Sequence, residues 1–209
     1  MARSLAGVGV LAATLVVALT STDAGAARAK ALRSGQKFAD YGAVGATTAG
    51  LTRSFVDNGL GFVKDQRTGL LWEKKDRSGG IHDKDNKYTW TTGTTLANGT
   101  AFTVLLATLN TQPCFAGYCN WRLPTNRELA TLVDYGTSKP ATYAEFDDGC
   151  AAGCTILGCS CTGQTSYWSS STLALPGTTN AWTVNFGTGG MSSADKLTAY
   201  GARAVRGGQ

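Results

Sequence analysis

Histidine is nearly missing from this chain: one residue, His82, among 209. That excludes catalytic and metal sites built on paired imidazoles. A Gly-x-Ser-x-Gly elbow, a metal-binding helix and a phosphate loop are absent as well. Past residue 19 no stretch is apolar enough to cross a bilayer. There is no internal repeat, no collagen-like Gly-x-y run and no alternation of strands with crossover helices, so a parallel α/β fold is excluded. Proline is scarce at 4 residues, whereas glycine reaches 27. Together with frequent Thr, Ser, Trp and Tyr, this favours strands and turns over helices.

Net charge is +5 over the whole chain, but it is unevenly placed. Residues 27–53 carry Arg28, Lys30, Arg33, Lys37 and Arg53 against Asp40 alone, a balance of +4. From Ser54 to Gln209 there are 13 basic and 12 acidic residues, a balance of +1. The folded part is nearly neutral and gives no reason to expect a nucleic-acid partner. Residues 27–53, rich in Ala, Gly and Thr, read as a flexible basic linker.

Ahead of that linker, Arg3, an apolar stretch from Leu5 to Leu19 and the small residues Ala24-Gly25-Ala26-Ala27 follow the order of an export signal. Residues 1–26 are therefore read as a signal peptide, which places the mature chain in the periplasm, at the cell surface or outside the cell, without membrane insertion. An even set of cysteines in an exported chain implies disulfides. Cys114 and Cys119 bracket a four-residue loop and are expected to pair. Cys150, Cys154, Cys159 and Cys161 leave three pairings open, of which the nested Cys150–Cys161 with Cys154–Cys159 is a working choice. A four-thiolate zinc site would prefer Cys-x-x-Cys knuckles, and these spacings do not supply them. Each short loop closure stabilises by roughly 2–3 kcal/mol in the chain-entropy view.

The remaining residues, 54–209, fit one domain. Strands are expected at Phe55-Val56, Phe62–Asp65 and Leu70–Lys74, with turns at Asp57-Asn58-Gly59 and Asp65–Gly69. A charged loop spans Lys75–Lys87. Residues 101–110 place apolar side chains at 102, 105, 106 and 109, the spacing of a one-sided helix. Thr125 and Glu128 form a capping box that opens a helix with Leu129, Leu132 and Val133 as its buried stripe. Tyr167–Ser171, Ala181–Phe186 and Ala199–Arg206 are expected to form one antiparallel sheet, with a turn at Gly187–Gly190. The sum is an α+β domain.

Six motifs then fall in a known order: Asp65–Trp72, Tyr88-Thr89-Trp90 with Leu109-Asn110, Phe115–Leu129, Tyr167–Ser171, Ala181–Phe186 and Arg203–Gly208. The chain resembles the Lcl C-terminal domain family over Ser54 to Gly208. Members of that family are typically exported bacterial proteins or appended modules, and its founding example is the terminal domain of a collagen-like adhesin that binds sulfated glycosaminoglycans. A more distant resemblance, through Arg122-Leu-Pro-Thr125-x-x-Glu128 and Arg203-x-x-Arg206, is to the formylglycine-generating and sulfatase-modifying enzymes. It implies a C-type-lectin-like fold: a small twisted antiparallel sheet, two short helices and long disulfide-stapled loops.

Candidate ligand-binding residues follow from charge and aromaticity. Lys74, Lys75, Arg77, Lys84 and Lys87 could meet sulfate or carboxylate groups. Asp83, Asp85 and Asn86 offer oxygen ligands to calcium, as do Asp147 and Asp148, although alternating charge signs favour a plain solvated loop. Trp168 is the tryptophan expected to stack on a sugar, because Ser169, Ser170 and Ser171 adjoin it with hydroxyls. Trp72, Trp121 and Trp182 are assigned to the scaffold, with Arg122 and Arg203 tying loops or Glu128 to the core and Arg206 beside them. The preferred reading is a non-catalytic, cofactor-free module for a surface glycan in adhesion. The alternatives are a structural or protein-binding envelope component, and a catalytic relative of the formylglycine-generating enzymes.

Overall fold

A computed structural model describes residues 53–93, 95–175 and 179–207. The proposed signal peptide and all of the linker before Arg53 lie outside the described residues. Two antiparallel sheets carry the fold. The first contains β1 (Phe55–Asp57), β2 (Phe62–Asp65), β3 (Leu71–Glu73) and β7 (Val205–Arg206), in that spatial order. The second contains β4 (Ser166–Thr172), β5 (Asn180–Asn185) and β6 (Met191–Asp195).

Side chains alternate across the first sheet and feed two cores. Val63, Trp72 and Val205 face one cluster with Leu129, Leu132, Val133, Phe146, Val184 and Phe186. Phe62, Leu71 and Ala204 face the other, with Trp90, Leu105, Leu109, Trp121 and Leu123. Strand β4 divides in the same way, Tyr167 to the first cluster and Trp168 to the second. A sheet covered on both faces buries every residue of β3, which a one-sided antiparallel sheet would not do.

The expected helix at 101–110 is present in two pieces, a π-helical turn Ala101–Leu106 continued by α1 (Ala107–Asn110). Ala101, Leu105 and Leu109 are its buried stripe, while Phe102 and Leu106 are only partly covered. Gly99 seats its start, since a Cβ there would lie 2.4 Å from the Thr89 carbonyl oxygen. The second helix, α2 (Asn126–Ala130), opens on the predicted capping box. Thr125 Oγ1 accepts the Glu128 N–H at 3.2 Å, and Glu128 Oε2 accepts the Thr125 N–H at 2.7 Å. The helix stops at Ala130, so Leu132 and Val133 bury from the turn that follows it.

Two expectations for the last third are corrected. Only Val205–Arg206 of the segment 199–206 is strand, and it pairs with β3 in the first sheet rather than with β4 or β5. The third strand beside β5 is Met191–Asp195, an exposed edge whose polar residues give no apolar alternation to read. All six cysteines are bridged, as Cys114–Cys119, Cys150–Cys161 and Cys154–Cys159. No helix among the described residues is long and apolar enough to cross a membrane.

Candidate functional site

The charged loop divides into a buried stem and an exposed tip. Strand periodicity points Glu73 and Lys75 to the same side, and there they meet. Lys75 is 1% exposed, and its Nζ lies 2.8 Å from Glu73 Oε1. The same oxygen is 2.8 Å from His82 Nδ1, while Glu73 Oε2 accepts the Ala204 N–H at 2.8 Å. Burial by itself would raise the Glu73 carboxyl, but Lys75, His82 and the Ala204 amide outweigh it and hold the group at about 2. Burial lowers the Lys75 ammonium, an effect its pairing with Glu73 opposes. Lys74 is also 1% exposed and pairs with Asp57 on β1. Neither lysine can reach a sulfate in solvent, so the expectation that Lys74 and Lys75 are surface ligands is overturned. They are continuations of β3, and the cores on both sides of that strand enclose their stems.

Trp168 is corrected for a related reason. It is 0% exposed, its Nε1 donates to the Tyr88 carbonyl at 2.8 Å, and Tyr200 packs edge-on against it. Ser169 is buried with its hydroxyl donating to the Trp182 carbonyl, and half-buried Ser170 donates to the Pro124 carbonyl. Of the five tryptophans, Trp182 alone is partly exposed, although it was assigned to the scaffold.

The arginines act as forks within the protein. Arg122 grips Glu128 with two nitrogens at 2.8 and 2.7 Å and also reaches the Gly207 carbonyl. Arg203, 1% exposed, donates to the Cys161 carbonyl and to Thr162 Oγ1, with Phe146 beneath its guanidinium. Arg206 lies over the Tyr118 ring, 3.7 Å from its centroid, and bonds Asn120 Oδ1.

What remains accessible in the loop is Arg77, Asp85 and Lys87, with Asp83, Lys84 and Asn86 half-buried. Asp83 accepts the Gly79 and Asp85 amides, and Asn86 donates to the Gly80 and Ile81 carbonyls. These bonds shape the tip, and Lys84 pairs with Asp85 at 2.7 Å. The tip borders a crevice of about 410 Å³ lined by Lys84, Asp85, Lys139, Asp147, Thr162 and Gln164, among others. Two acidic segments distant in sequence thus meet, Asp85 from one and Asp147 from the other. Exposed Asp148 is not in that lining, and its backbone pairs with Ser160. A second hollow of about 420 Å³ takes Asn86 and Lys87 with Tyr88, Val104 and Thr108. Lys139, Thr162 and Gln164 carried no motif; they converge only through the tertiary fold, with Gln164 Nε2 donating to the Lys139 carbonyl.

The only set of three His, Cys, Asp or Glu ligand atoms that converges among the described residues belongs to Cys154, Cys159 and Cys161. All three are already bonded in disulfides. The chemistry on offer is hydrogen bonding and ion pairing from a crevice with both charge signs, beside a rigid, arginine-tied scaffold. That defines a disulfide-stapled α+β module with a polar surface crevice. The family model of the Lcl C-terminal domain matches residues 61–206, and the chain belongs to that family. No curated protein matches the sequence.

Proposed function

We propose that this chain is a secreted, non-catalytic module that binds an extracellular glycan in adhesion, and that the glycan sits in the crevice beside the loop tip. The observation that carries this reading is the composition of the lining. Lys84 and Lys139 donate, Asp85 and Asp147 accept, and exposed Gln164 does both, while the Thr162 hydroxyl is spent inside the fold on the Phe146 carbonyl and Arg203. A sugar ring presents hydroxyls that each donate and accept, so mixed partners suit it better than a one-sign surface would. A cavity of about 410 Å³ falls in the range that holds a small ligand. The burial of Lys74 and Lys75 removes two of five loop cations. The ligand is therefore read as neutral or weakly anionic rather than densely sulfated.

The C-type-lectin-like reading of the fold is retained on the same footing, supported by small antiparallel sheets, two short helices and long bridged loops. Export is supported by the signal-like start and by closed disulfides, which persist in oxidising compartments. Calcium remains a candidate additional ligand through Asp85 and Asp147, which share the lining.

The test is a glycan array at two salt concentrations, with and without calcium, using protein that lacks residues 27–53. Retained binding that Gln164→Ala weakens tenfold or more is the expected result. Binding that needs residues 27–53 would mean nonspecific electrostatics. No binding in any arm would overturn the glycan reading in favour of a protein partner.

A further inference from the structure

The two bridges of the 150–161 segment touch each other. Cys161 Sγ lies 3.9 Å from Cys154 Sγ and 3.9 Å from Cys159 Sγ. The third bridge sits apart, beside Gln112, whose Nε2 contacts Cys119 Sγ at 3.1 Å. Access to the paired bridges is graded: Cys150 and Cys154 are half-buried, Cys159 is 3% exposed and Cys161 0%. Cys150 also lines the crevice at the loop tip. An incoming thiolate therefore meets Cys150 before Cys161, and attack position is one determinant of disulfide exchange.

We propose that these two bridges form one exchangeable unit, entered at Cys150 by a small thiol and relayed through Cys161 to the second bridge. In the first step a thiolate RS⁻ attacks Cys150 Sγ. The Cys150–Cys161 bond breaks, RS–S–Cys150 forms, and the electron pair leaves on Cys161 as its thiolate. Buried Arg203 donates to the Cys161 carbonyl and anchors that residue's backbone while its bond is exchanged. In the second step the Cys161 thiolate attacks Cys154 Sγ, forming Cys154–Cys161 and releasing the Cys159 thiolate. Attack on Cys159 instead would bridge across Ser160 alone. Extended backbone there sets the Cα atoms roughly 6.6–7 Å apart, the upper limit for a disulfide. In the third step Cys159 attacks Cys150 in the mixed disulfide, forms Cys150–Cys159 and returns RS⁻.

The sulfurs are near enough for this, since Cys150 Sγ is bonded to Cys161 Sγ, which itself lies 3.9 Å from Cys159 Sγ. No electrons are gained or lost, and the thiol is recovered. The pairing changes from nested to crossed, in the wall of the crevice. The loop tip feels the change directly, because the Arg77 N–H donates to the Cys154 carbonyl and the Arg77 carbonyl accepts the Gly153 N–H. The inference does not depend on what occupies the crevice.

The test incubates the full chain with reduced glutathione at mildly alkaline pH, alkylates free thiols, and maps the bridges by tandem mass spectrometry. Glutathione on Cys150, with Cys150–Cys159 and Cys154–Cys161 accumulating while Cys114–Cys119 stays intact, is the expected result. Nested bridges alone after equilibration would overturn the proposal. So would scrambled bridges that include Cys114 or Cys119, because they report global unfolding. In a Cys150→Ser variant, the lone free thiol is expected to divide between Cys161 and Cys159, with at least a tenth on Cys159. A thiol confined to Cys161 would show that the contact does not transmit exchange.

Discussion

Lys75 and Lys84 are nine positions apart in one charged loop and have opposite fates. Lys75 is enclosed beside Glu73, and its carbonyl accepts the Cys161 N–H at 2.8 Å. Lys84, 19% exposed at its side chain, lines the crevice and pairs with Asp85, which is 67% exposed. Composition treats the two as equal. Their distance from the end of β3 separates them, because backbone pairing continues past Glu73 through the Lys74 N–H on the Gly61 carbonyl. Charge near a fully buried strand is part of the scaffold; charge a turn further on is available to a ligand.

The contrast is broken most severely by Lys75→Met. It leaves the Glu73 carboxylate buried with its cation gone, and removing one member of a buried pair costs about 3–5 kcal/mol. Denaturant unfolding should show that loss. The next effect comes from acid. Glu73 titrates at about 2 in the fold against an ordinary 4.5. Because the folded value is depressed, the stabilisation is complete above pH 4.5 and is lost as pH falls toward 2. By linkage its size is about 3 kcal/mol. Thermal melts across that window should fall steeply for the wild type, and Glu73→Gln should remove this share of the slope. The smallest effects come from the outer lysines. Lys74→Met, which frees half-exposed Asp57, should cost about 1–2 kcal/mol. Lys84→Met should stay within about 0.5 kcal/mol, so any loss of glycan binding in that variant reads on the site alone.

Local features were legible in the sequence. Thr125 and Glu128 announce their capping box within four residues, and the Cys114–Cys119 bridge follows from a tight loop. The first two strands and the stripe of Leu105 and Leu109 follow from periodicity. What failed was non-local. Trp168 looked like a sugar platform because serines follow it, yet those hydroxyls turn to the Trp182 and Pro124 carbonyls. The buried Glu73 centre needs His82 and Ala204, and only the fold brings them together. Its one sequence trace is Glu73 and Lys75 at strand spacing after Leu71, which a reading by charge alone assigns to solvent. Strand β6 escaped because an exposed edge of Ser, Ala and Asp carries no apolar period. The crevice residues Lys139 and Gln164 stand on loops with no signature at all.

The pairing of β7 with β3 makes closure of the domain depend on the far end of the chain. The Ala204 amide that completes the Glu73 centre is made 131 residues after its partner, and Val205 must still pair with Trp72 and Arg122. Until that end of the chain is in place, Glu73 is without its amide and β3 has one side unpaired. A chain that stops short of Ala204 therefore has the early strands but no way to seal them.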